Sequence, residues 1–344
     1  MGDTDDSGPR AARAESDRLR AVAGIVAAPD FVRPHLGSFY EPEDLALLAA
    51  LGGGERAAAE LAAGLPGVTL ESLRRAHRRA VVTLSSDAAA VTAAPFSDRF
   101  EAWIVFEGWK DLPPAVRERL AAWDMDRFVE EIREPVAAIS AGRRPTEGTG
   151  NDTFILLDEA EAIINGAKRV FVRPCSCRRI AQSCDKPVDV CLWIDEDERD
   201  EGWEISRERG VEILHEADKA GLMRTANDAD TAAATWICCC CPDCCYPLLA
   251  SERLGAGDVY PTRRYRAALD DAACTRCGIC VRRCPFEAWV LEGRGDGRVL
   301  RLTESDCRGC GVCATGCPES AIAMVKRRRA RDTSSPAHHG REAT

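Results

Sequence analysis

Eight of the 18 cysteines in this chain stand in two runs with identical spacing. The first run reads C-x2-C-x2-C-x3-C-P from Cys274 to Pro285, and the second reads the same from Cys307 to Pro318. Every cysteine of the second run follows its counterpart by 33 residues, so the segment is an internal repeat. Thiolates that converge in fours bind iron–sulfur clusters or zinc. The repeat therefore predicts two metal centres of the same kind.

The spacing within each run favours [4Fe–4S] clusters. A cubane cluster needs four thiolates from different directions, and a tight C-x2-C-x2-C loop supplies three of them. Gly278 and Gly311 within these loops let backbone amides approach the sulfides. In bacterial two-cluster proteins with this run, the fourth cysteine ligates the other cluster. The predicted ligands are therefore Cys274, Cys277, Cys280 and Cys317 for one cluster, and Cys307, Cys310, Cys313 and Cys284 for the other.

The other ten cysteines lie in a middle region, within residues 175–245. Neighbouring thiols on an extended backbone point in different directions, so these ten do not all serve one centre. The region predicts one or two further iron–sulfur centres, with a four-cysteine zinc site and redox-active dithiols as alternatives. The candidate ligands are Cys175, Cys177, Cys184, Cys191, Cys238, Cys240, Cys241, Cys244 and Cys245.

Residues 262–326 closely resemble the bacterial dicluster ferredoxin domain. The resemblance implies a small pseudo-twofold α+β fold that passes one electron at a time between nearby clusters. With P-C-x-C-R at Pro174–Arg178 and I-C-x-C-C-x-D-C-C at Ile237–Cys245, the C-terminal half also resembles uncharacterised bacterial and archaeal 4Fe–4S dicluster-domain proteins. In that resemblance position 239 is usually not cysteine, so Cys239 is the first candidate for a non-ligand.

The elements that position the middle cysteines alternate between helix and strand. Periodicity predicts helices at Leu157–Asn165 and Ser206–Ala220 and a strand at Arg169–Val172. We therefore expect an α/β domain at residues 151–258, with its thiols at strand ends. The dicluster ferredoxin domain follows at residues 262–326, with a hairpin of Ala288–Leu291 and Val299–Leu302 between its two repeats.

The N-terminal half predicts a helical domain at residues 23–95. Helices are expected at Asp44–Leu51, at Arg56–Ala63 and from the N-cap Thr69 to Ala80, before a β-like Val81–Leu84. This order resembles a winged helix–turn–helix. Its third helix carries candidates for contact with DNA phosphates, although a solvated or protein-docking face is the alternative: Arg74, Arg75, Arg78 and Arg79. Residues 96–150 form an aromatic-rich helical extension and linker, whose aromatic side chains we expect to pack.

Composition limits the remaining classes. The length of 344 residues suits two or three domains. A net charge of −10 disfavours general nucleic-acid binding, and the N-terminus shows no export signal. The longest uncharged run, Thr231–Pro242, is too short for a membrane span. We therefore expect a cytoplasmic protein with disordered ends at residues 1–22 and 327–344. No phosphate-binding loop or dinucleotide fingerprint occurs, so no nucleotide or flavin site is expected.

The sequence thus predicts a multidomain α+β protein with a winged-helix-like N-terminal domain, an α/β cysteine-rich middle domain and a C-terminal dicluster ferredoxin fold. The expected function is electron transfer through two [4Fe–4S] clusters to or from the middle centre and a partner redox protein. Two alternatives remain open. One is a redox-sensing DNA-binding regulator, and the other is an iron–sulfur reductase with an open-site cluster in the middle domain.

Overall fold

The computed structural model describes residues 7–143, 153–195, 199, 202–227 and 234–327. The chain is a mixed α/β protein that divides into two compact units. The first unit comprises residues 1–132, 166–210 and 243–246, and the second comprises residues 133–165, 211–242 and 247–344. Within the described residues, the helices lack the length and apolar character that a membrane crossing requires.

Helices and strands are distributed along the whole described chain. The helices are α1 (Ser7–Ile25), α2 (Leu36–Phe39), α3 (Pro42–Leu51), α4 (Ala58–Gly64), α5 (Leu70–Arg78), α6 (Phe96–Phe106), α7 (Pro114–Ser140), α8 (Leu157–Gly166), α9 (Ser176–Ala181), α10 (Arg207–Lys219), α11 (Tyr246–Arg253), α12 (Ile279–Arg283) and α13 (Val312–Thr315). The strands are β1 (Arg56–Ala57), β2 (Val82–Leu84), β3 (Ala90–Ala93), β4 (Thr153–Ile155), β5 (Val170–Pro174), β6 (Asp189–Ile194), β7 (Trp203–Ile205), β8 (Met223–Ala226), β9 (Trp236–Cys240), β10 (Tyr265–Leu269), β11 (Trp289–Glu292), β12 (Val299–Leu302) and β13 (Ile322–Lys326).

The N-terminal part of the first unit places three helices beside a small antiparallel sheet. Helix α5 begins where the sequence predicts, because Thr69 Oγ1 accepts a hydrogen bond from the Ser72 amide at 3.1 Å. The strands follow the order β1-β3-β2. The predicted second helix begins later than expected, because Arg56 pairs with Val91 as strand β1 and leaves the helix to start at Ala58.

The first unit has an aromatic core that includes α6 and a fully buried cation. The rings of Phe39 and Phe96 meet edge to face with centroids 5.0 Å apart, so the aromatic-rich stretch packs as predicted. Arg99 is completely buried and donates to the Phe39 carbonyl at 2.6 Å and to Glu107 at 2.7 Å. Pairing with a carboxylate offsets the cost of burying this guanidinium.

One further expectation differs at the N-terminus. The sequence predicts disorder to residue 22, whereas α1 already begins at Ser7. Five Ala and four Arg occur among the 19 residues of α1, and both residue types favour helix. The C-terminal tail beyond residue 327 lies outside the described residues. The domain boundaries expected from the sequence stay predictions.

Two groups of antiparallel strands carry the middle cysteines. In the first unit, β5 pairs with β6 and β7, and its end leads directly into Cys175 and α9. In the second unit, β8 pairs with β4 and β9. Helix α10 covers the predicted helical segment to within a residue at each end. Cysteines therefore stand on β9 and at the end of β5.

The C-terminal part of the second unit is a small α+β arrangement. Strand β10 pairs antiparallel with β13, and β11 pairs with β12 in the predicted hairpin, with Trp289 opposite Leu302. The short helices α12 and α13 each follow a glycine of the cysteine repeats. Trp289, Leu300 and Ile322 form a buried cluster with several of the cysteines.

Candidate metal centres

One pocket of the C-terminal part is lined by four cysteines from both repeats. The pocket has a volume of about 330 Å³, which includes the space at its opening to solvent. The apolar side chains of Leu300 and Ile322 line one side of it. Two backbone amides donate to its sulfurs: Arg276 N to Cys274 Sγ at 3.4 Å and Ala321 N to Cys317 Sγ at 3.3 Å. We call these cysteines the outer set: Cys274, Cys277, Cys280 and Cys317.

A second pocket, of about 290 Å³, is lined by the other four cysteines of the repeats. The Ala267 amide donates to Cys307 Sγ at 3.5 Å, and the Trp289 side chain hydrogen-bonds to Cys313. The structure therefore brings together the same two groups of four that the spacing predicts. We call the second group the inner set: Cys284, Cys307, Cys310 and Cys313.

Glycines shape the loops that carry the first three cysteines of each repeat. Gly278 and Gly311 have φ values of +73° and +81°, a left-handed conformation that favours glycine. A Cβ added at Gly311 would also lie 2.9 Å from Leu156 Cδ2. The sequence assigns these glycines to amide approach, and the structure adds that the backbone conformation itself requires them.

The two sets differ in burial. Cys277 of the outer set is exposed, whereas Cys307, Cys310 and Cys313 of the inner set are all buried. Burial raises the pKa of both the Cys310 and the Cys313 thiol to about 12. Four converging sulfurs in this environment become thiolates only when a positively charged group binds them. Both donor sets, with their amide hydrogen bonds, fit a [4Fe–4S] cluster.

Comparison with known families supports this fit. Residues 273–322 match the 4Fe-4S dicluster domain. This segment, the dicluster domain below, contains all eight cysteines of the two sets, and its cofactors are two [4Fe–4S] clusters. None of the curated proteins compared with the chain matches it.

In the middle region, two candidate cysteines of the first unit lie close enough to share a metal. The Sγ atoms of Cys184 and Cys244 lie within 4.8 Å of each other. Cys244 is buried, and Cys184 is half-buried. The loop that carries Cys184 is held near Cys244 because Ser183 Oγ donates to the Asp243 carbonyl at 3.3 Å. Cys184 and Cys244 can therefore supply two ligands to a further centre. Cys241 is buried in the second unit.

A second middle group surrounds Cys175. A hydrogen bond from Cys177 and another from Cys191 lower the pKa of Cys175 well below its usual range, although burial opposes this shift. The positive charge of Arg178 adds to the lowering. The guanidinium of Arg178 is fixed by donating to the Pro187 carbonyl at 2.6 Å. The lowered pKa favours the thiolate of Cys175, the form that binds metals and acts as a nucleophile.

Strand β9 separates its cysteines by face. Cys238 and Cys240 project to one side, and the Cys240 sulfur lies 3.5 Å from the Thr225 hydroxyl. Cys239 projects to the other side and is completely buried. Cys245, which follows the strand, is buried as well. The assignment of Cys239 as a non-ligand stays a prediction, and it agrees with the face that this residue occupies.

The arginines predicted to meet DNA fall into two kinds. Arg74, Arg75 and Arg78 are exposed on α5. Arg79 is instead held in a carboxylate cluster, with Nη1 3.1 Å from Glu41 and 3.0 Å from Asp44. Its Nε donates to Glu107 at 3.3 Å. Arg79 therefore contributes to packing, and three arginines remain as the exposed basic face.

Sequence reasoning overlooked three charged residues near the inner set, namely Asp218, Arg224 and Arg283. Arg224 donates to the carbonyl of Cys310, which lies 86 residues away along the chain. Arg283 stands inside the first cysteine run, yet its contact with Asp218 spans 65 residues. A local sequence pattern does not predict contacts between residues so far apart in the chain. The sequence offers one signal of such a role, which is the position of Arg283 directly before the predicted ligand Cys284.

Proposed function

We propose that this protein is an iron–sulfur electron carrier that exchanges single electrons with a partner redox protein through its dicluster domain. The observation that supports this role is the pair of four-cysteine pockets in one small domain, each lined by cysteines of both repeats. When bound, [4Fe–4S] clusters supply reversible one-electron chemistry. Two of them in one small domain suit a relay better than a purely structural role.

The chain's own residues would hold and adjust these centres. The eight thiolates bind, and backbone amides such as that of Ala321 donate to the sulfurs and stabilise added negative charge. Apolar side chains, among them Leu300 and Trp289, keep water from the pocket walls. These are the ways in which a protein sets the potential of a cluster.

The decisive test is the metal content of protein purified without oxygen. Two cubane clusters correspond to about eight iron and eight acid-labile sulfide per chain. Reduction with dithionite should then produce the electron paramagnetic resonance (EPR) signals of reduced [4Fe–4S] clusters. Iron that strong low-potential donors cannot reduce would contradict the carrier role.

We extend the proposal to the middle cysteines, which would hold one or two further centres that exchange electrons with the dicluster domain. The proximity of Cys184 and Cys244 within the first unit supports this extension. A total of about 12–16 iron without zinc is expected. About eight iron with stoichiometric zinc would instead make the middle centre structural. The alternative is a reductase whose middle centre keeps a coordination position open for substrate. Spectral changes on adding candidate substrates would support that alternative.

We further propose that residues 23–95 form a winged-helix-like domain that docks the partner protein. Three helices with a β1-β3-β2 sheet support this interpretation. The alternative is redox-sensitive DNA binding by the exposed Arg74, Arg75 and Arg78. That alternative requires salt-sensitive DNA binding that differs between cluster-loaded and cluster-free protein and is lost when the three arginines become alanine. Docking without DNA predicts no such binding in an electrophoretic shift assay.

A further inference from the structure

A buried charged network lies beside the inner set. Asp218 at the end of α10 accepts from Arg224 Nη1 at 2.7 Å and from Arg283 Nη2 at 3.0 Å. The Thr315 hydroxyl donates to the same carboxylate at 2.9 Å. Arg224 is completely buried, and Asp218 is 7% exposed. We call Asp218, Arg224, Arg283 and Thr315 the clamp.

The clamp holds the backbone of the inner set from two directions. Arg224 Nη2 donates to the Cys310 carbonyl at 3.4 Å. Arg283 directly precedes Cys284, and its Nε donates to the Val312 carbonyl at 2.9 Å. The clamp arginines therefore contact backbone at Cys310 and beside Cys313, and Arg283 adjoins Cys284 in the chain. With two guanidinium groups and one carboxylate, the clamp carries a net positive charge.

An arginine also contacts a cysteine carbonyl in the outer set, but this arginine is more exposed to solvent. Arg276 Nη1 donates to the Cys274 carbonyl at 2.8 Å, as Arg224 does to Cys310. However, the Arg276 side chain is 30% exposed, and its partner Asp271 is 68% exposed. Water and salt screen an exposed charge far more than a buried one. The positive field of an arginine therefore acts more strongly on the inner set.

The clamp also adjoins the cysteine-bearing strand. In the β8–β9 pairing Arg224 stands opposite Cys239, so the two side chains project to the same face. Because Arg224 also contacts Cys310, the inner set lies next to the face of β9 that carries Cys239. The outer set instead includes Cys277, which is exposed to solvent. The two pockets thus differ both in neighbouring charge and in what they face.

We propose that Arg224, fixed by Asp218, is a positioning residue that raises the reduction potential of the inner centre, and that the outer centre is the one presented to the redox partner. The proposal rests on the proposed carrier function. Reduction adds one electron and hence one negative charge to the centre, with no bond broken and no proton required. The buried positive charge stabilises that added charge, because cluster potentials depend on net charge, hydrogen bonds and burial.

The test compares Arg224→Gln with Arg276→Gln in the intact, cluster-loaded chain. Each variant is titrated with dithionite while EPR follows the two clusters, and Cys310→Ser and Cys277→Ser assign each signal to its pocket. At a fixed potential, Arg224→Gln should lower the reduced-to-oxidised ratio of the inner centre at least tenfold, which equals about 59 mV. Arg276→Gln should change the ratio of the outer centre less than twofold.

A conservative variant separates charge from packing. Arg224→Lys keeps the charge and should restore most of the ratio, although one hydrogen bond is lost. If Arg224→Gln fails to fold, Arg283→Gln provides the measurement. The Arg283 side chain is 19% exposed, so its replacement disturbs packing less, and the substitution removes the same unit of charge. It should shift the inner centre in the same direction.

The outcomes distinguish this inference from the carrier function. Equal shifts in the two matched variants, or no shift with about eight iron retained, would overturn the role of Arg224 and leave the carrier function intact. A wild-type protein without reducible iron would overturn both. Faster loss of iron to a chelator from the outer than from the inner centre would support the partner-facing assignment. The reverse order would contradict it.

Discussion

The dicluster domain and the middle region carry similar numbers of cysteines but organise them differently. In the dicluster domain, eight thiols surround two pockets in complete groups of four. In the middle region, the contacts described within the first unit gather thiols in smaller groups: Cys184 with Cys244, and Cys175 with Cys177 and Cys191. Short loops supply most ligands of the first pattern, whereas the second brings together segments distant in sequence.

This difference has a chemical counterpart. Burial raises the pKa of Cys310 in the dicluster domain, whereas neighbouring thiols and Arg178 lower the pKa of Cys175 in the middle region. Complete sets of four can satisfy a [4Fe–4S] cluster or a four-coordinate metal. The same residue type thus meets opposite surroundings in the two regions, which raise the pKa of the Cys310 thiol and lower that of Cys175.

The strongest test of the comparison removes one thiol from a complete set. Cys310→Ala should lose the inner cluster and with it about four of the eight iron of the dicluster domain. Cys239→Ala is the matched control, because it deletes a buried thiol that lies outside both sets. Iron and sulfide analysis gives the answer. Equal iron loss in the two variants would contradict the assignment of the complete sets as the cluster-binding cysteines.

A second substitution tests whether the pair of Cys184 and Cys244 binds metal at all. Cys244→Ala should remove about four iron, or one zinc, from the middle region while the EPR signals of the dicluster domain stay unchanged. Cys184→Ala should give the same loss, since the two sulfurs lie within 4.8 Å of each other. Unchanged metal content in both variants would leave the dicluster domain as the sole metal-binding part of the protein.

A smaller effect is expected from the glycines of the two loops. Gly311→Ala should cost about 1–2 kcal/mol from its left-handed backbone alone, and its Cβ also meets Leu156 at 2.9 Å. Gly278→Ala shares the backbone penalty, but its nearest contact is Leu291 at 3.4 Å. Urea unfolding followed by cluster absorbance should therefore place Gly311→Ala below Gly278→Ala in stability. The opposite ranking would show that the outer loop is the more tightly packed one.

The smallest expected signal concerns ionisation in metal-free protein. Because its pKa is lowered, Cys175 should be a thiolate at pH values where Cys310, with its raised pKa, is still protonated. At a pH between the two pKa values, the ultraviolet absorbance of thiolate should therefore fall in Cys175→Ala and not in Cys310→Ala. Circular dichroism confirms that the metal-free chains stay folded. A fall in both variants would erase the electrostatic difference between the regions.

Local signals in the sequence predicted local structure well. The repeat spacing yields both pockets because three cysteines of each set come from one short loop, and Thr69 marks the start of α5 because capping involves neighbouring residues. The clamp was not predictable, since Asp218 and Arg224 meet the inner set through the tertiary fold. Strand β1 escaped prediction for the same reason, as two residues form a strand only when β3 lies beside them.

Apolar residues of β13 and of the β11–β12 hairpin set the spacing between the inner and outer pockets. Ile322 lines the outer pocket, and Met324, two residues further along β13, lines the inner pocket. Across the hairpin, Leu300 and Trp289 divide between the pockets in the same way. Two residues of a strand span about 7 Å, a length that hydrogen-bonded ladders barely allow to change. In the carrier proposed above, electron tunnelling would fall off steeply with the separation of the two centres, so this fixed spacing of the pocket walls would hold the rate of exchange between them steady.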